Sequence, residues 1–90
     1  MALSLGIIAG EKILIGSDPQ HVVEVKAVFQ SNNLIIITVD GGPDIAISDQ
    51  SRTEILPGVS VFSGVGRNGS RLAFIAPKEI LIYREELDDV

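Results

Sequence analysis

Four of the seven basic residues of this chain, Arg67, Arg71, Lys78 and Arg84, fall in its last third, and Tyr83 adjoins the last of them. Cations spaced along a strand can meet successive phosphates and release condensed counterions. An aromatic ring among them can stack an unpaired base for about 1–3 kcal/mol. Lys12, in an early hairpin, joins the same set. Two plainer readings stand beside this one. Arg84 equally fits an ion pair with Glu11, Glu85 or Glu86 at a sheet edge, and Tyr83 fits a half-buried edge aromatic with its hydroxyl in water.

Other residues able to do chemistry are isolated. His21 is the only histidine and the chain has no cysteine, so no second imidazole and no thiolate completes a metal site. It reads as an exposed residue at the start of a strand. Asp40 and Asp44 flank Gly41-Gly42-Pro43, a spacing that could hold a hard cation but is also ordinary turn chemistry. Gly64-Val65-Gly66-Arg67-Asn68-Gly69 fits the G-x-G-x-x-G pattern. A strand follows it rather than a helix, which makes it a hairpin turn and not a phosphate cradle. No Ser, His and Asp are arranged as a triad. A non-enzymatic protein without a cofactor is expected.

Twelve acids against seven bases give a net charge of −5, which weighs against a simple nucleic-acid binder unless its few cations are gathered locally. The apolar fraction of 46% can fill a core, yet it is interrupted too often for a membrane span. Residues 1–10 lack the basic start of a secretory signal and read as a buried first strand. The lack of cysteine suits a cytoplasmic setting. A domain this small buries proportionally little surface, which favours a homo-oligomer or a protein partner.

The elements that must position these residues are strands. Apolar residues alternate or run in short β-branched blocks, interrupted by turn residues, and no helix is evident. The expected strands are 3–8, 12–15, 21–30, 34–39, 44–47, 59–63, 71–75 and 79–84. The fold class is therefore all-β, a small sandwich or barrel of about eight antiparallel strands in a single domain, 1–90. Overlaying residues 25–37 on 61–73 without a gap suggests an internal repeat, a complete unit in 1–50 and a partial one in 51–90. The alternative is that any β-meander resembles another. Residues 53–58 read as the remnant of the second unit's early hairpin.

Two stretches carry a family resemblance. Gly10-Glu11-Lys12-Ile13-Leu14-Ile15-Gly16, and the run from Arg71 through Ala76-Pro77 to Arg84-Glu85-Glu86, resemble the early hairpin and closing segment of the carbon storage regulators (CsrA/RsmA). These are small dimeric proteins that bind messenger RNA and block translation. About half the chain can be laid on their pattern.

The resemblance implies a strand-swapped sandwich, which the repeat would let one chain largely build alone. It also implies an RNA-binding translational regulator that recognises single-stranded loops of mRNA, with Arg84 at the family's closing arginine and Tyr83, Lys78, Arg71, Arg67 and Lys12 in support. Ile7 and Ile8 stand where the family carries an arginine pair, and Ser48 and Asp49 where the first repeat would have its own Tyr83 and Arg84. Those departures favour the alternative, a scaffold or protein-interaction module of the same fold that no longer binds RNA.

Overall fold

Ile35 and Ile37 are fully buried while Ile36 between them is only partly covered, the period-two signature of a strand with one face on a core. The computed structural model describes residues 2–66 and 69–85, and that pattern recurs through it. Its strands are β1 (Ala2–Gly6), β2 (Lys12–Ile15), β3 (His21–Phe29), β4 (Leu34–Val39), β5 (Ile45–Ile47), β6 (Thr53–Leu56), β7 (Val59–Gly66), β8 (Gly69–Ile75) and β9 (Ile82–Arg84), with one short 3-10 turn at Gln30–Asn32.

They form two antiparallel sheets, a four-stranded one in the order β1-β8-β7-β6 and a five-stranded one in the order β5-β4-β3-β2-β9. The chain is all-β, as its sequence implies. Among the described residues no helix is long and apolar enough to cross a membrane.

The core lies between the sheets. Ile13, Ile15, Val23, Val25, Ile35, Ile37 and Ile47 face Val59, Val61, Leu72 and Phe74, all essentially inaccessible to solvent. A radius of gyration of 12.3 Å matches the roughly 12 Å expected for one closed domain of this length. Each sheet is built on one meander, β2-β3-β4-β5 or β6-β7-β8, and is completed by an end of the chain from the other half: β9 beside β2, and β1 beside β8.

Besides a β7–β8 hairpin longer than expected, its strands reaching Gly66 and resuming at Gly69, the observed strands depart from expectation in four places. Residues 53–56, read as a remnant, form a full edge strand, because Pro57-Gly58 turns them back onto β7 and Gly58 adopts φ +82°. The leading segment is a half-exposed edge strand ending at Gly6 and not a buried one, since only its Leu3 and Leu5 face turns inward. The last strand begins at Ile82, because Pro77–Ile80 close a turn through the Ile80 N–H and the Pro77 carbonyl, 3.1 Å apart.

The fourth departure concerns register. A bulge at Lys26 shifts the β3–β4 pairing by one residue. Ile35 and Ile37 therefore take the inward places that Leu72 and Phe74, not Arg71 and Ala73, hold in β8. The ungapped overlay of 25–37 on 61–73 thus reverses the faces of the second strand of each hairpin.

Candidate functional site

Two of the sequence-derived cations, Arg71 and Arg84, meet at the seam where β1 and β9, edge strands of different sheets, come together. Arg84 is paired with Ile13 across the β2–β9 ladder and so shares that residue's inward face. At the open edge of the sandwich this aims its guanidinium at the opposite sheet. One Nη donates to the Gly6 carbonyl at 2.7 Å, and Nε lies 3.3 Å from the Glu11 carboxylate. Both partners are partly exposed, so the ion pair contributes about 0–1 kcal/mol.

Arg71, opposite Gly6 in the β1–β8 ladder, donates from Nε to the Ser4 hydroxyl at 2.9 Å and from Nη to the Ser4 carbonyl at 3.0 Å. Gly6 separates the two cations. A methyl group there would meet Arg71 at 3.6 Å and Arg84 at 4.0 Å, so two guanidinium groups flank one side-chain-free position.

Tyr83 is next to Arg84 in sequence and opposite to it in space, because successive strand residues point to opposite faces. It is paired with Leu14 on the outer face of the five-stranded sheet, shares that face with Lys12, and accepts a 2.6 Å hydrogen bond from the Gln20 amide. Lys12 is exposed and lies across from Glu24.

Lys78 is remote from both groups. It is exposed on the Pro77–Ile80 turn, beyond the end of β8 that pairs with Ala2, whereas Arg71 pairs with Gly6 at the other end. Four residue steps of strand, about 13 Å, already separate Arg71 from Ile75. Arg67 lies outside the described residues, as does Glu86. The six residues therefore divide into Arg71 with Arg84 at the seam, Tyr83 with Lys12 on the outer face, Lys78 at the far end, and Arg67.

Between β1 and β9 runs an open groove of about 700 Å³, its walls formed by Leu3, Leu5, Leu14 and Ile82, with Tyr83 and Arg84 at its edge. Ile7 is buried, while Ile8 is 71% exposed and its N–H is held by the Glu11 carboxylate at 3.1 Å. Glu11 thus organises the turn and partly neutralises Arg84 at once. Sequence reasoning named it as one of three possible partners for Arg84, and did not foresee Gly6, Ser4 or Gln20. A period-two pattern assigns a residue's face, not which edge strands meet.

The isolated residues found plain structural uses. His21 Nδ1 is 2.6 Å from an Asp40 oxygen, and the other Asp40 oxygen accepts the Val22 N–H at 2.9 Å. The bond from His21, reinforced by the one from Val22, holds the Asp40 carboxyl below its ordinary range against a small opposing effect of desolvation. Asp40 is therefore committed to clamping the start of β3 to the end of β4. Among the described residues no group of three or more His, Asp or Glu is placed to hold a metal ion. The glycine-rich stretch closes the β7–β8 hairpin, with Gly66 paired to Gly69.

Two buried serines contrast. The Ser63 hydroxyl donates to the Asn33 carbonyl and its N–H to the Ser48 carbonyl at 3.0 Å, tying β7 to the opposite sheet. The Ser70 hydroxyl is buried without a protein partner among the described residues. Compared with known proteins, the chain matches no family model, no curated protein and no solved structure.

Proposed function

We propose that this chain is a non-enzymatic RNA-binding module that regulates translation by occupying a single-stranded loop of messenger RNA, and that the β1–β9 seam is its contact surface. The observation that carries the reading is the pair of guanidinium groups on either side of Gly6, beside an open groove with an aromatic ring at its edge. Sequence-selective proteins usually engage RNA where bases are unpaired, with cations on the backbone and rings on the bases. In the carbon storage regulators that the sequence resembles, RNA lies between the first strand of one subunit and the last strand of the other. The same two strands border one groove within this single chain, and each half of the chain completes the other half's sheet.

Binding requires Arg84 to exchange its contact with Glu11 for phosphate, and the net charge of −5 opposes approach, so modest affinity at low salt is expected. Mobility shift against a randomised RNA loop library tests this. Saturable binding weakened roughly ten-fold by Arg84→Ala or Arg71→Ala, with Lys78→Ala close to wild type, is the expected result.

A second reading, a protein-interaction module, is favoured by the Arg84–Glu11 pair and by the leucine and isoleucine lining of the groove. No RNA binding even at low salt would leave that reading standing.

A further inference from the structure

At the end of the sandwich away from Gly6, three loops enclose a second cavity of about 360 Å³. Ile15 and Val59, each 1% exposed, reach into it, and Leu56, Ile80 and Leu81 add apolar wall. Its charged and titratable lining is Asp18, Glu79 and His21, with no Lys or Arg among the described residues that line it. Neither the Asp18 nor the Glu79 side chain takes part in a hydrogen bond or ion pair within the described protein.

His21 lines the cavity too, with its Nδ1 engaged by Asp40 at 2.6 Å. The walls are pinned: the Gly16 N–H donates to the Leu81 carbonyl at 2.8 Å, and a side chain at Gly16 would meet the Pro19 carbonyl at 3.1 Å.

The geometry points to a binding site for a small organic ammonium, a compact apolar ring or chain bearing one primary amine. The cavity is at the small end of the range for ligand pockets, roughly 300–1,000 Å³, which fits an occupant of about ten non-hydrogen atoms. The apolar floor takes the body, and the unpaired carboxylates at the rim take the N–H groups. An anion would meet two like charges there. A bare metal ion would find no close set of ligands among the described residues.

Amide chemical-shift titration of the full chain tests the assignment, with benzylammonium as probe and benzyl alcohol and benzoate as matched neutral and anionic controls. Benzylammonium should give saturable shifts confined to residues 15–21, 56–59 and 79–81, with a millimolar dissociation constant suited to its size. Benzyl alcohol should bind at least about ten-fold more weakly, and so should benzylammonium to an Asp18→Asn/Glu79→Gln variant. Both substituted residues are exposed, so the variant should keep the wild-type spectrum outside the site. Equal binding of the amine and the alcohol, undiminished amine binding by the variant, or no saturable shift at all would each overturn the proposal. Arg84→Ala should leave the titration unchanged, which separates this site from the seam.

Discussion

Replacing Ser70 and Ser63 by alanine should move stability in opposite directions, although both serines are buried and face inward from neighbouring strands. At Ser70 the hydroxyl is removed from water and meets no hydrogen-bonding group of the described protein. Such an orphan costs about 1–3 kcal/mol. Deleting it recovers that cost, less the few dispersion contacts of one oxygen at about 0.1–0.2 kcal/mol each, roughly 0.5 kcal/mol together. Ser70→Ala should therefore stabilise the fold by about 0.5–2.5 kcal/mol. At Ser63 the same deletion leaves the Asn33 carbonyl without its hydroxyl donor and should cost about 1–2 kcal/mol. Each kcal/mol corresponds to about 4–8 °C in Tm for a domain of this size. Urea titrations and thermal melts followed by far-ultraviolet circular dichroism read both. The reasoning is refuted if Ser70→Ala lowers the midpoint as Ser63→Ala does, because the Ser70 hydroxyl would then be contributing a bond.

Phe74 is the largest fully buried side chain, and Phe74→Ala should cost about 3–5 kcal/mol, a large share of the stability of a small domain; a loss below about 2 kcal/mol in urea would mean that this part of the core closes over the cavity. Gly58→Ala, at φ +82°, should cost about 1 kcal/mol, whereas Gly64→Ala, which has open space and no positive φ, should be neutral or slightly stabilising, and equal melting points for the two would contradict the turn assignment. Because the Asp40 carboxyl is held below its ordinary value of 3.8, its ionised form stabilises the folded state above that value, and the contribution is lost as pH falls through the lower folded value. The stability gap between wild type and Asp40→Asn should therefore narrow below about pH 4 in melts across an acid series, and a gap that widens on acidification would reverse the sign argued here.

Much of the fold was legible because β-branched runs such as Ile35-Ile36-Ile37-Thr38-Val39 and Val22-Val23 carry their own period, and because Gly-Pro and Asn-Gly pairs mark where they stop. Eight of the nine strands overlap an expected segment for that reason, and five lie wholly within one. What failed were decisions that no local pattern encodes. Residues 53–56 have too short an alternation to stand out until Pro57-Gly58 folds them onto β7. The bulge at Lys26 leaves no mark in composition, yet it moves Ile35 and Ile37 by one place relative to Leu72 and Phe74 and so spoils any ungapped overlay. His21 looked solitary because Asp40 is nineteen positions away, and it is brought close only by the β3–β4 pairing.

The candidate site was less legible, and the reason decides how many cations the proposed RNA contact could use. Clustering along the sequence suggested that Lys78, Tyr83 and Arg84 act together, but alternation turns Tyr83 away from Arg84, and the Pro77 turn leaves Lys78 at the other end of the sandwich. Among the described residues, only Arg71 and Arg84 of that set share the seam. Salt dependence measures that difference directly, since each phosphate neutralised on a single strand contributes about −0.7 to the slope of log Kobs against log salt. Two seam cations give a slope of about −1.4, and the five cations Lys12, Arg67, Arg71, Lys78 and Arg84 acting together would give about −3.5. Fluorescence anisotropy on one loop RNA across a salt series therefore distinguishes a two-point contact from a continuous basic track. A slope near −3.5 would mean that RNA wraps both ends of the sandwich, in which case Lys78→Ala would weaken binding as much as Arg84→Ala and the seam would lose its privileged role.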